Sequence, residues 1–327
     1  MNKLKRSLIF AIYLSLLITL AACGSSANEQ AVKTSGEGSQ EESSEIKSNL
    51  IIASSPSGSA YNSTAAGIAS VVSKNSDIQV TLQPYEGPNA YIPMLNAGEV
   101  DFGFTNSIDV VWSITGGHGY QMENKNVRIV VMGNYPPTNG IVVREDSGIE
   151  TTKDLVGKKV AYGFAGNQLI QLLIEQHLNS VGLTWDDVEK VPVTSSAEGM
   201  EALRDGRVDA TMGLSPYSAA TIETDAAVGG LRVLNLGDIP PEEFDQFPEE
   251  IAQSIAEAIP GTRPVVYENV GILEGKAATI YEYPVMLIGT ALLNEDTVYE
   301  VVKTLFENYE ELHPIYSWLE SWTPETM

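Results

Sequence analysis

Apolar positions follow two different periods along most of the chain. A short apolar run such as Leu50–Ala53 is followed by a polar turn, and then by apolar residues at helical spacing, as at Ala65, Ile68 and Val72. The same unit recurs with further strands predicted at 79–83, 100–105, 160–162, 190–193 and 208–214. Strands that alternate with helices predict an α/β fold with mostly parallel sheets.

Two junctions of this pattern match each other. Gly98 and Gly206 each end a predicted helix, and each is followed by a strand with an early aspartate, Asp101 or Asp209. Both strands then end in a polar turn. The match predicts two similar α/β lobes.

The chain is predicted to cross between the lobes twice. The stretch Asn134–Thr138 suits one crossing, and the regular pattern ends near Asn235. Beyond it we predict a helix at 249–258, strands near Val265 and at 285–288, and a closing helix at 295–312. The predicted division is a first lobe at 49–143, a second lobe at 144–235, and a return to the first lobe at 236–327.

The N-terminus has the layout of a secretory signal. Lys3, Lys5 and Arg6 precede an apolar run that ends at Ala22, and Cys23 follows as the chain's single cysteine. The motif around it resembles the bacterial lipobox, which predicts a signal peptide at 1–22 and a lipid on Cys23. The Ser- and Glu-rich stretch 23–48 predicts a disordered tether to the outer face of the cytoplasmic membrane. The alternative is an ordinary cleaved signal with a cysteine nearby by chance.

Charge and motifs narrow the class of protein. The chain has 19 basic and 43 acidic residues, and this excess excludes nucleic acid as a partner. It carries no G-x-S-x-G, H-E-x-x-H or P-loop motif, and its three histidines lack metal-ligand spacing. We therefore expect a monomer with no catalysis, no cofactor and no metal. An enzyme and a purely adhesive protein remain the alternatives from other classes.

The order of the loops resembles the TAXI family of solute receptors. The segments that carry the resemblance are GSAYNSTAAGIASVV, GPNAYIPMLNAGEVDFGFTNS, IVVREDSGIETTKDLVGKKVAYG, LNSVGLTWDDVEKVPVTSSAEGMEALRDGRVDA and LLNEDTVYEVVKTLFENYEEL. The resemblance implies a two-lobed periplasmic-binding-protein-like fold of the two-crossover type. It also implies a small-molecule ligand such as glutamate or 2-oxoglutarate, and the permease subunits of a TRAP-type transporter as partner. The alternative is a substrate-binding protein of an ABC importer.

Polar loops follow the predicted strands at one edge of each sheet. Ligands of open α/β sheets bind outside the carboxyl ends of the strands, near helix N-termini. The predicted ligand-binding residues are Ser55, Ser57, Gly58, Ser59, Tyr61, Asn62, Gly87, Asn89, Asn106 and Ser107 in the first lobe, and Gly163, Ala165, Gly166, Asn167, Gln168, Ser215 and Tyr217 in the second. These loops contain no Lys or Arg, and Arg144 is the nearest cationic candidate along the chain. Plain helix capping is the alternative explanation for each loop.

Overall fold

The computed structural model describes residues 45–133, 140–212, 215–315 and 317–327. The predicted signal peptide, Cys23, most of the tether and the crossing segment Asn134–Thr138 lie outside these residues. The strands are β1 (Asn49–Ser54), β2 (Gln79–Pro84), β3 (Phe102–Asn106), β4 (Val127–Met132), β5 (Ile141–Arg144), β6 (Lys159–Gly163), β7 (Glu189–Val193), β8 (Ala210–Met212), β9 (Leu231–Val233), β10 (Arg263–Glu268), β11 (Ala277–Glu282) and β12 (Val285–Thr290). The α-helices are α1 (Ala60–Asn75), α2 (Pro88–Ala97), α3 (Ser107–Thr115), α4 (Gln168–Asn179), α5 (Ser196–Arg204), α6 (Ala219–Val228), α7 (Glu249–Ala258) and α8 (Glu295–Glu307).

Two five-stranded sheets share one arrangement. The first has the order β2-β1-β3-β12-β4 and the second has the order β7-β6-β8-β5-β9. In each sheet the first three strands are parallel, and the fourth, β12 or β5, runs antiparallel to both of its neighbours. This fourth strand is the one that arrives from the other lobe. The predicted two-lobed α/β fold with mixed sheets is therefore confirmed.

The two repeated aspartates accept equivalent hydrogen bonds in the two lobes. Oδ2 of Asp101 accepts a hydrogen bond from the Ile51 amide at 2.9 Å, and Oδ2 of Asp209 accepts one from the Lys159 amide at 2.8 Å. Each carboxylate thus fixes one parallel strand, β1 or β6, to the turn before its parallel neighbour, β3 or β8. The preceding Gly98 and Gly206 both adopt positive φ, +78° and +71°, which glycine adopts without strain.

The chain returns to the first lobe later than the sequence predicts. Residues after Asn235 stay with the second lobe, where Asp238 accepts a hydrogen bond from the Thr152 amide at 2.6 Å and the Tyr281 hydroxyl donates to the Leu173 carbonyl at 3.2 Å. The antiparallel hairpin β10–β11 also belongs here. The predicted boundary at 236 is thus too early, because helix α7 and the hairpin β10–β11 come before the return. The chain returns to the first lobe at Tyr283 and Pro284, just before β12.

The remaining predictions of secondary structure differ mainly at the ends of elements. Helix α7 has the predicted bounds, and the closing helix ends at Glu307 with a separate 3-10 turn at Tyr309–Leu312. Helix α6 and strands β9 and β11 were not predicted. Among the described residues, no helix combines the length and the apolar character needed to cross a bilayer.

Candidate functional site

A cavity lies between the two lobes, at the carboxyl ends of their parallel strands. The space between its walls totals about 420 Å³, including the part that opens to solvent. Its lining residues are Ser55, Ser59, Ala60, Tyr61, Asn106, Asn167, Ile170, Ser196, Ser215 and Tyr283. None of these is charged.

Four α-helices begin at this cavity. The N-cap residues are Ser59 for α1, Asn106 for α3, Asn167 for α4 and Ser195 for α5, and the cavity is lined by these residues or by their immediate successors. The first amides of a helix have no partner within the helix and carry a partial positive charge. The helix ends therefore present partial positive charge to the cavity, whose lining contains no Lys or Arg from the described part of the chain.

The first-lobe wall combines helix capping with a serine hydroxyl that has no partner in the described residues. The Ser59 hydroxyl accepts a hydrogen bond from the Asn62 amide at 3.1 Å, and the Asn62 side chain donates to the Ser54 hydroxyl at 2.9 Å. Ser55 is only 6% exposed, and its hydroxyl has no hydrogen-bond partner in the described residues. A buried hydroxyl without a partner costs free energy, so Ser55 is ready to bind a ligand atom.

Two tyrosines close the wall beside Ser59. The phenols of Tyr61 and Tyr283 face each other, and burial raises the pKa of Tyr61 well above its ordinary value, with the neighbouring Tyr283 as the next cause. The Tyr61 ring also packs edge-on against Phe104, with ring centroids 5.3 Å apart. The Tyr61 phenol therefore remains neutral at physiological pH and can only donate or accept hydrogen bonds.

Asn106 is held in place by a buried carboxylate. Its Oδ1 accepts from the Asp109 amide and its Nδ2 donates to Asp109 Oδ2, both at 2.8 Å. Asp109 Oδ1 accepts a further hydrogen bond from the Tyr120 hydroxyl at 2.9 Å. Burial raises the pKa of Asp109 to about 6, although its bonds to Asn106 and Tyr120 work in the opposite direction. The amide of Asn106 is thus committed to Asp109 as well as lining the cavity.

The lobes touch directly at one side of the cavity, through a contact that we call the clasp (residues 86–89 with 166–168). The Asn89 amide donates to the Gly166 carbonyl at 3.2 Å, and Asn89 Oδ1 accepts from the Gln168 amide at 2.9 Å. Gly87 lies so close to Gly166 that a Cβ on either glycine would collide with the opposite backbone. The clasp therefore describes a closed arrangement of the lobes.

A second contact between the lobes lies at Gly58. The Ala220 amide of α6 donates to the Gly58 carbonyl at 3.2 Å, and a Cβ on Gly58 would lie 3.2 Å from the Ala220 Cβ. Gly58 also has φ +82°. It thus combines a left-handed turn with close approach of the other lobe.

The second-lobe wall begins with an unusual turn after β6. Gly163 has φ +100°, and the buried Phe164 has φ +43°, which is uncommon for a large side chain. The turn directs Asn167 into the cavity, where its Oδ1 has no hydrogen-bond partner in the described residues. Ser215 and Ser196 provide two further hydroxyls on this side.

Six of the predicted site residues line the cavity and the others do not. The six are Ser55, Ser59, Tyr61, Asn106, Asn167 and Ser215. Gly58, Gly87, Asn89, Gly166 and Gln168 join the lobes to each other instead. Ser57 and Ala165 are exposed, Asn62 turns back to Ser54, Ser107 starts α3, Gly163 ends β6, and Tyr217 packs beside Gly271. Arg144 is paired with Asp146 at 3.0 Å and does not line the cavity.

Sequence reasoning missed four lining residues, Ala60, Ile170, Ser196 and Tyr283. Ser196 follows the N-cap Ser195 at the end of β7, on the same sheet edge as the predicted loops, so its position was a usable signal. Tyr283 had no comparable signal, because it depends on where the chain returns to the first lobe. Within the described ranges, no cluster of three or more His, Cys, Asp or Glu side chains is arranged to hold a metal ion.

Comparison with known proteins identifies the family. The model of the NMT1-like family matches residues 52–327, and the chain belongs to this family. An Escherichia coli (strain K12) protein named for binding aliphatic sulfonates is 33% identical over 147 residues, which cover 44% of this chain and 41% of that protein. The chain thus matches less than half the length of this curated relative.

Two solved structures share the fold. The alkanesulfonate-binding protein from Xanthomonas axonopodis pv. citri, solved with MOPS bound, has a TM-score of 0.50 at 16% identity, covering 85% of this chain and 83% of that one. The ligand-binding component of an ABC-type import system from Staphylococcus aureus has a TM-score of 0.51 at 13% identity, covering 82% of this chain and 78% of that one. Both likenesses show the fold alone, in agreement with the two sheets described above.

The resemblance to the TAXI family was wrong. The family match over residues 52–327 places the chain among NMT1-like proteins instead. The segments that carried the resemblance contain whole helices and strands of the two-lobed fold, such as α1, α5 and α8. We therefore no longer expect a TRAP-type partner or dicarboxylate ligands, because both expectations depended on the resemblance.

Proposed function

We propose that this protein is the solute-binding component of an ABC-type importer, and that it binds a small organic oxyanion such as an alkanesulfonate between its lobes. The observation that carries the proposal is the convergence of four helix N-termini on a cavity lined by uncharged side chains. Helix N-termini bind sulfonate-like groups through free amides and the helix dipole. The names of two relatives point to the same ligand class. The name of a third, which was solved with zinc bound, points to the same type of transporter.

The lining supports capture and release rather than chemistry. Hydroxyls of Ser55, Ser196 and Ser215 supply neutral donors, while Ile170 and the rings of Tyr61 and Tyr283 can pack against an alkyl chain. Neutral donors bind an anion reversibly without the cost of desolvating a cation. We infer that the protein holds its ligand unchanged and delivers it to the importer.

The proposal is tested by titrating the protein with a matched panel of ligands. We expect the linear C2 to C6 alkanesulfonates to raise the melting temperature and to bind saturably by calorimetry, because binding to the folded state alone stabilises it. Glutamate, 2-oxoglutarate and the uncharged alcohols of equal chain length serve as comparators. Equal shifts from alcohols and sulfonates, or no shift from any sulfonate, would reject the oxyanion site.

Alanine substitution of two serines in the same loop is expected to affect different properties, ligand binding for Ser55 and stability for Ser59. Ser55→Ala removes a hydroxyl that has no partner in the described structure, so we expect unchanged stability and about tenfold weaker sulfonate binding. Ser59→Ala removes the N-cap of α1, which is expected to lower the free energy of unfolding by about 1 kcal/mol. Urea unfolding and calorimetric titration of both variants measure the two effects. A loss of stability in Ser55→Ala equal to that in Ser59→Ala would contradict this division of roles.

We also propose that the protein is exported and anchored by lipid at Cys23, with residues 23–48 as the tether. The supporting observation is the apolar run that ends directly before the chain's single cysteine. The intact mass of the mature chain from membranes tests this, since a chain cut elsewhere or lacking acyl groups would overturn it.

A further inference from the structure

A buried carboxylate lies directly behind the first-lobe wall of the cavity. Asp109, in the first turn of α3, is fully buried, and its two hydrogen-bond partners, Asn106 and Tyr120, are both neutral. The other ionisable groups that it influences are the phenols of Tyr61 on α1 and Tyr91 on α2. Asp109 takes part in none of the ion pairs found within the described residues. Its negative charge is therefore not offset by a neighbouring cation.

The carboxylate lies one hydrogen bond away from the ligand space. Asn106 lines the cavity and donates to Asp109 at 2.8 Å, and Tyr61, which also lines the cavity, responds to the charge on Asp109. Water cannot reach the carboxylate to screen it. At a separation on the order of 7 Å and an effective dielectric constant of about 20, one ligand charge meets a repulsion worth about tenfold or more in affinity.

We propose that Asp109 restricts the cavity to singly charged oxyanions. The helix N-termini attract one negative charge strongly enough to overcome the buried carboxylate, whereas a second ligand charge faces the same repulsion again and has no cation to offset it. The selectivity rests on the proposed oxyanion function and adds a determinant that lies outside the lining itself. It distinguishes a sulfonate from a doubly ionised phosphonate of the same shape.

The test uses butanesulfonate and butylphosphonate as a pair of ligands of nearly equal shape. At about pH 9.5 the sulfonate carries one charge and the phosphonate is almost entirely doubly charged, while Asp109 is ionised because its folded pKa is about 6. We expect the wild-type protein to prefer the sulfonate by tenfold or more. Asp109→Asn is expected to strengthen the binding of both ligands and to narrow the preference by about tenfold, because the dianion gains most.

Two further measurements separate charge from structure. The side-chain amide introduced by Asp109→Asn can accept from Asn106 and donate to the Tyr120 oxygen, so both hydrogen bonds persist in the variant. Tyr120→Phe removes a hydrogen bond but keeps the carboxylate charge, and is expected to retain the wild-type preference at about pH 9.5. At about pH 5 both ligands are singly charged, and the wild-type preference is expected to disappear.

The outcomes are distinguishable. An unchanged preference in Asp109→Asn, or an equal narrowing in Tyr120→Phe, would overturn the role of the charge while leaving the oxyanion site in place. Failure of wild-type protein to bind either ligand at either pH would overturn the proposed function, and the selectivity with it. A narrowed preference in Asp109→Asn alone supports the inference.

Discussion

Replacing Gly166 with alanine is expected to weaken ligand binding by about ten- to hundredfold, while the ligand-free protein keeps its stability. In the closed arrangement an added Cβ would lie 2.5 Å from the Glu86 Cβ and 2.9 Å from the Glu86 carbonyl carbon, in the other lobe. One of these is a backbone atom, so the clash cannot be relieved by rotating a side chain. Overpacking of this kind costs about 1–3 kcal/mol, and each 1.4 kcal/mol is tenfold in affinity.

The added Cβ destabilises only the closed form, so the variant separates closure of the lobes from folding. Gly166 does not adopt a positive φ, so alanine fits its own lobe without backbone strain. A protein whose binding-competent form is less populated binds with proportionally lower apparent affinity. Calorimetric titration with butanesulfonate measures this loss, and small-angle scattering measures whether the lobes have opened.

Ala165→Ser provides the matched control. Ala165 is the preceding residue of the same loop, its side chain is exposed, and it takes no part in the clasp. We expect this variant to bind and scatter like wild type. Wild-type affinity in Gly166→Ala would show that the bound protein does not use the clasp.

The lobes could be predicted from sequence because their information is local. An apolar run followed by a polar turn and helical spacing marked the three parallel strands of each lobe, and the repeated glycine–aspartate junction at Gly98 and Gly206 marked the equivalence of the lobes. Each signal lies within about ten residues of the structure that it specifies. The return of the chain was placed too early because the hairpin β10–β11 packs by tertiary contacts, such as Tyr281 against α4, which no local pattern records.

The sequence predicted the edge of the sheets at which the site lies, but not which residues line it. All the polar loops were placed at the carboxyl ends of strands, but their division into lining and clasp depends on how the two lobes approach each other. Asn89 and Asn167 both lie at the start of a helix, yet Asn89 accepts a hydrogen bond from the Gln168 amide and Asn167 faces the cavity. Asp109 was missed as part of the site because a buried acid in the first turn of a helix looks like an ordinary dipole partner.

Stability against pH is expected to reflect two buried groups that act in opposite directions. Asp109 has a folded pKa of about 6 against an ordinary 3.8, so between about pH 4 and 6 the folded state holds a proton that the unfolded state has released. Stability from this group is therefore present at low pH and is lost as pH rises through 6. Burial lowers the pKa of His177 from 6.5 to about 4, so stability from the neutral imidazole is present above 6.5 and is lost as pH falls toward 4.

Each group alone contributes on the order of 3 kcal/mol across this window, and in the wild-type protein the two contributions nearly cancel. Asp109→Asn leaves only the histidine, so we expect this variant to lose stability relative to wild type when pH falls from about 7.5 to 4.5. His177→Phe keeps an aromatic ring against Tyr281 and leaves only the aspartate, so we expect the opposite slope. Urea unfolding at several pH values gives the free energy of unfolding for each protein.

Comparison at each pH removes the contribution of the many other carboxylates, which are common to all the proteins. The double variant lacks both groups, and its curve is expected to run parallel to that of wild type, whereas the two single variants diverge from it with opposite sign. Because Asp109 and His177 lie in different lobes, their effects should add. Single-variant curves that run parallel to wild type would mean that neither group changes its proton affinity on folding.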